Sequence, residues 1–76
     1  MIPLVLPYEA VFQDTGMHEY VYIIEDGRAI KKIVETGYEL EDNIEISRGL
    51  QPDDDVILNP PVDLKSGMLI RIGESA

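Results

Sequence analysis

The sequence predicts an all-β fold, a small β-roll or barrel of about six short strands with one or two single helical turns. Three observations predict it. Residues 20–25 and 28–35 are rich in β-branched and aromatic side chains and flank Asp26-Gly27, a pair suited to the positive φ angles of a two-residue hairpin turn. Turn signals recur every ~8–12 residues along the rest of the chain. No window holds a helical period beyond about two turns.

The elements follow in order. Residues 2–6 are a short apolar stretch between Pro3 and Pro7, and proline confines a strand to an edge or a beginning. Residues 8–11 can make one helical turn, since a proline just before it forfeits no hydrogen bond. Asp14-Thr15-Gly16 turns the chain into the residue 20–25 strand. Tyr20, Tyr22 and Ile24 share one face there, and Val21 and Ile23 the other, so both faces are expected to be covered. In the partner strand, Ile30 and Val34 alternate with Lys31, Ile33 and Glu35. Thr36-Gly37 is expected to break that strand and residues 38–40 to form a short extended piece. Residues 43–47 then place Ile44 and Ile46 inward and Glu45 outward. Residues 49–52 make a compact loop, residues 56–58 a brief buried strand, and residues 62–64 a single turn. Ser66-Gly67 reverses the chain into a last strand in which Met68, Ile70 and Ile72 alternate with Leu69 and Arg71.

Length and charge bound the function. A 76-residue chain buries only ~60% of the surface its unfolded form exposes, and without cysteine no disulfide offsets the thin core. Six basic against fifteen acidic residues leave a formal charge of −9. Such a field repels phosphate, so a nucleic-acid role is not expected. No apolar run approaches the ~20 residues of a spanning helix, and residues 1–6 do not read as a signal peptide. The lack of cysteine fits a cytoplasm or a cell surface equally well.

No site for chemistry stands out, and no catalytic, cofactor-binding or metal-binding residue is assigned. A nucleophilic triad would need His18, the single histidine, beside Ser47, Ser66 or Ser75 and a carboxylate; an exposed loop imidazole is the plainer reading. Asp53-Asp54-Asp55 places three carboxylates in a row, but consecutive residues point in different directions, whereas calcium loops space their ligands alternately. A solvated loop accounts for the run. The spacing of the glycines fits no phosphate-cradling loop, and the four tyrosines are expected to pack a sheet with hydroxyls at its rim. Arg28, Lys31 and Lys32 hold half of the positive charge. From Glu35 to Asp55, eight acids then stand against one base, Arg48. A stretch of one sign is usually a solvated face, and it also steers a basic partner.

The order of motifs carries more than any of them singly. Leu6-Pro7-Tyr8-Glu9-Ala10-Val11 is a strand ending in a Pro-x-x-Ala turn, and residues 20–28 form an aromatic-rich hairpin around Gly27. Residues 31–37 run from a basic pair to Val-x-x-Gly at Gly37. Residues 43–56 carry Gly49-Leu50-Gln51-Pro52-Asp53-Asp54-Asp55-Val56, and residues 64–70 carry Leu-x-x-Gly-x-x-Ile around Gly67. In this order the sequence resembles the C-terminal, membrane-proximal region of HlyD/AcrA-like membrane-fusion proteins, the adaptor subunits of efflux pumps. Pro7, Ala10, Gly27, Gly37, Gly49, Leu50, Pro52 and Gly67 match the family's structural motif positions. Asp53 departs from it, standing where the family has glycine.

The resemblance implies a β-roll without catalytic residues or cofactors, docking on the extracytoplasmic face of a membrane transporter of ABC, RND or major-facilitator type. It also implies an extracytoplasmic location (periplasm or outer face of the cell membrane), with anchoring through an N-terminal part of a longer protein. Residues 1–76 are then expected to be one membrane-proximal-like domain excised from that protein. The exposed turn positions Arg28 and Arg48 are the candidate partner-docking residues. The family roll also uses a strand from the N-terminal part, and its removal leaves an unpaired edge, so the isolated chain is expected to form a homodimer or exchange strands. The competing expectation is a free-standing small acidic β module binding a basic protein in the cytoplasm.

Overall fold

The hairpin at Asp26-Gly27 organises the molecule. Both turn residues have positive φ, 52° and 75°, which Asp tolerates and Gly adopts freely. They join β3 (Glu19–Glu25) to β4 (Arg28–Leu40), in a ladder running from Glu25↔Arg28 to Glu19↔Val34. The computed structural model describes residues 4–70. Within them, β1 (Leu4–Pro7), a 3-10 turn (Tyr8–Ala10), β2 (Phe12–Gln13) and β5 (Asn43–Arg48) complete the regular elements.

All neighbours are antiparallel, in the order β1-β5-β4-β3-β2. The two ends of this sheet, β1 and β2, are separated in the chain only by the turn Tyr8–Ala10 and Val11. The sheet must therefore curl until its ends lie one turn apart, and a roll results. Ala10 is fully buried at that closure.

The all-β expectation holds, with three corrections. Thr36-Gly37 does not end β4, which continues to Leu40 and spans thirteen residues in all. The irregularity is absorbed as register shifts against β5 between Glu35 and Thr36 and between Thr36 and Glu39, so an expected break becomes a bulge. Residues 56–58 form no strand: the chain touches β3 through the bridge Ile23↔Val56 and the bonds Ile24 N–H to Asp55 C=O and Ile57 N–H to Tyr22 C=O, and Leu58 is half exposed. The final strand reduces to a bridge at Leu69 opposite Arg28; Arg71 and Ile72 lie outside the described residues.

Two apolar clusters lie on opposite faces of the β3–β4 hairpin. Inside the roll, Val21, Ile23, Val34 and Ile46 pack with Leu4, Leu6, Val11, Ile30, Leu50 and Val56. On the outer face, Tyr22 and Ala29 pack under Leu64, with Phe12, Tyr20, Ile57 and Ile70 around them. The alternation along residues 20–24 required this double covering. Ile57, Leu64 and Ile70 supply the outer cover, and the backbone of residues 67–70 also closes the hairpin's edge: Ala29 N–H donates to Met68 C=O, Gly67 N–H to Ala29 C=O and Ile70 N–H to Gly27 C=O.

β1 is an edge strand of the sheet. The bond from Tyr8 N–H to Asp42 C=O continues its ladder with β5, so residues 4, 6 and 8 face β5 and Val5 and Pro7 face outward. Pro7 has no N–H, which leaves Val5 as the outward donor of this strand.

Candidate docking surface

The two candidate arginines do not form one site. Arg28 opens β4 and its Nη1 donates to Gly67 C=O at 2.8 Å, tying the C-terminal segment to the hairpin. Arg48 ends β5 opposite Glu35, with Nε 3.6 Å from the Glu35 carboxylate and both side chains well exposed. Arg28 and Glu35 are seven steps apart along β4, roughly 23 Å at ~3.3 Å per residue. The motif positions are scattered along the fold. Pro7 ends β1, Ala10 ends the helical turn, Gly27 shapes the hairpin, and Gly37 lies under the Glu45 side chain. Gly49 has φ 103°, and a Cβ there would sit 2.5 Å from Ile33 C=O. Leu50 packs on the inner cluster, Gly67 reverses the chain beside Ala29, and Pro52 is exposed.

The acidic run at residues 53–55 is divided by its surroundings. Asp54 accepts from Lys32 Nζ at 2.6 Å and from Gln51 N–H at 2.8 Å. The Lys32 ammonium first, and the Gln51 amide second, hold its carboxyl below the ordinary value. Asp54 N–H in turn donates to Gln51 C=O. Asp55 contributes its carbonyl to β3, and Asp53 is exposed. Asp53 is not among the residues of positive φ, so the turn does not require the family's glycine. Among the described residues no group of three acids or histidines converges to hold a metal ion.

The remaining polar groups serve the backbone. Asp14 accepts from Gly16 and His18 N–H, each at 2.9 Å, and lies 3.4 Å from Lys31 Nζ. The His18 amide chiefly, and Lys31 less, lower its pKa. Lys31 also sits 4.3 Å over the Tyr20 ring, which stacks on Phe12 and meets Tyr22 edge-on. Ser47 donates its hydroxyl to Glu35 C=O and the Ser66 hydroxyl accepts from Lys31 N–H. Tyr22 donates to Leu64 C=O at 3.0 Å, and burial pushes its phenol pKa up.

What the sequence reading missed is at the β4–β5 turn. Past Val34, β4 leaves β3 and keeps only β5 as its ladder partner. On this stretch Tyr38 is 78% and Leu40 54% exposed. Glu39, between them, lines a shallow open recess with Tyr8, Glu9, Glu41 and Asp42. Tyr8, 54% exposed, is fixed there by its backbone bond to Asp42. The signal was present in Tyr38-Glu39-Leu40, but an expected break at Gly37 concealed that these residues belong to the long strand. A second exposed apolar group, Leu58, Val62, Met68 and Leu69, lies along the C-terminal segment.

The fold is a small curled antiparallel sheet with open recesses, whose polar groups chiefly tie the chain to itself. The family is specific: the chain belongs to the YknX C-terminal permuted SH3-like domain family, whose model matches residues 3–72. This agrees with the resemblance to the C-terminal region of membrane-fusion proteins. The chain is also 39% identical over 66 residues, 87% of its length, to "Putative efflux system component YknX" of Bacillus subtilis (strain 168). It spans 17% of that relative's length. No solved structure matches it.

Proposed function

We propose that this chain is a non-catalytic adaptor domain of an efflux system, docking on the extracytoplasmic face of a membrane transporter of ABC, RND or major-facilitator type. The single observation that carries the reading is the family match across residues 3–72. In this reading residues 1–76 are one domain of a longer protein, held outside the cytoplasm by its N-terminal part.

The full-length protein, purified from native membranes under mild detergent, tests it. A transporter subunit is expected to co-purify, identified by mass spectrometry, and to be lost when this domain is deleted. Recovery from the cytosol with a soluble basic protein, and no transporter, overturns the reading in favour of a free-standing interaction module. Self-association of the isolated domain is a separate matter. With β1 at the edge of the sheet, sedimentation of the isolated domain at high concentration is expected to show a dimer that Val5→Pro abolishes; a monomer overturns strand exchange through that edge.

A further inference from the structure

Among the described residues, ion pairs engage Asp14, Asp54 and Glu35. Glu9, Glu39, Glu41, Asp42 and Glu45 have no such partner and lie on or beside the β4–β5 hairpin, the first four near one another; Glu19, Glu25, Asp26, Asp53, Asp55 and Asp63, also without one, are spread over the rest of the fold. Collecting like charges costs self-repulsion, which nothing in the fold offsets.

The same hairpin end exposes Tyr8, which lines the recess with Glu39, and Leu40, which the alternation of β4 directs to the opposite face; Tyr38 is exposed next to Glu39 in the chain. Large apolar or aromatic side chains ringed by polar ones are the anatomy of a protein interface, and tyrosine is frequent among its energetically dominant residues. The ring of charge restricts the occupant. Nucleic acid and anionic lipid bring phosphate and are repelled. The acids are not grouped to hold a metal ion. A protein face bearing Lys and Arg fits, since its cations meet the carboxylates and also the tyrosine rings. The exposed C-terminal group of Leu58, Val62, Met68 and Leu69 offers no comparable charge to name an occupant.

We infer that the β4–β5 hairpin end, together with Tyr8 and Glu9, is the surface by which this domain docks, and that its occupant is a Lys/Arg-bearing face of the transporter. The inference rests on the adaptor reading above. Arg28 and Arg48 are then peripheral to docking: Arg28 secures the C-terminal segment and Arg48 pairs with Glu35.

The experiment uses the full-length protein and the transporter it recovers from membranes, the latter purified in detergent and immobilised. Three forms are compared by surface plasmon resonance at several salt concentrations, after circular dichroism shows each to be folded. Glu9→Lys/Glu39→Lys/Asp42→Lys is expected to slow association at least tenfold and to flatten its salt dependence. Tyr38→Ala, at an exposed position where folding is preserved, is expected to speed dissociation about 30-fold, the equivalent of ~2 kcal/mol for a dominant interface residue. Glu25→Lys/Asp53→Lys/Asp63→Lys, the same charge change at exposed positions elsewhere, is expected to leave both rates within about twofold. Rates unchanged in the first two forms, or equal losses in all three, overturn this inference while leaving the adaptor reading standing. A full-length protein that recovers no transporter overturns both.

Discussion

The two hairpins that share β4 are covered to very different degrees. In β3–β4, one face packs Val21, Ile23 and Val34 into the roll, and the other sets Tyr22 and Ala29 under Leu64. Its backbone edges are occupied as well, by residues 55–57 and 67–70. In β4–β5, Ile44 and Ile46 face inward, while Glu45 covers Gly37 on the other side and Tyr38 and Leu40 project into water. One strand thus serves as wall over its first half and as an exposed finger over its second. Apolar residues in the wall hold the fold; Tyr38 and Leu40 in the finger are exposed.

The largest effect separates the two at once. Ile23→Ala removes buried side chain from the wall, at a cost of roughly 2–5 kcal/mol. A chain of this size has a total stability of about 4–11 kcal/mol, so denaturant titration should show a large drop in midpoint. Leu40→Ala on the finger should stay within about 0.5 kcal/mol. Similar costs for both would erase the contrast.

A smaller effect tests how the finger is fixed to the wall. Gly49 has φ 103° and a Cβ there would press on Ile33 C=O and Val34. Gly27 has φ 75° with nothing within 4 Å of its Cβ position. Gly27→Ala should cost only the backbone penalty of about 1–2 kcal/mol, and Gly49→Ala clearly more. Thermal unfolding of the two variants reads the difference directly.

Tyr22→Phe comes next. It removes the hydroxyl bonded to Leu64 C=O and leaves a buried acceptor unpaired, at a cost of about 1–3 kcal/mol. Tyr38→Phe on the finger has no such bond to lose and should leave the unfolding midpoint where it is.

The least effect is in acid. Asp54 has a folded pKa below the ordinary carboxylate value. Its contribution is therefore complete above the unfolded value of about 3.9 and is lost as pH falls through the lowered folded value. Stability should decline on acidification below about pH 4, and Asp54→Asn should decline less. An equal decline would mean that the Lys32 pair does not hold the loop to the wall.

How much of this was legible depends on how local each cause is. The Asp26-Gly27 hairpin was legible because positive φ and apolar alternation act within a few residues. The inward pair Ile44 and Ile46 followed from the same period of two. Thr36-Gly37 misled because glycine marks a break locally, whereas a bulge against β5 lets the ladder resume at Glu39. Residues 56–58 misled for the converse reason: an apolar triplet in extended form is no strand when a single bridge is all its neighbour offers. Arg28 and Arg48 were singled out for exposure and charge. Which carbonyl or carboxylate comes within reach of each guanidinium is decided by segments about 39 and 13 residues away in the chain, Gly67 for Arg28 and Glu35 for Arg48.

By itself, the amino-acid sequence determined the all-β class, the central hairpin, the acidic balance and, through the order of five motifs, the family. Those depend on short-range backbone preference and on counting. Only the tertiary structure decided which acids are paired and which are not, that Ile57, Leu64 and Ile70 cover the outer face of the hairpin, and that Tyr8 meets the β4–β5 turn. Each of these is a contact between distant parts of the chain, and a contact is set by how the sheet curls, not by the residues that happen to be neighbours in sequence.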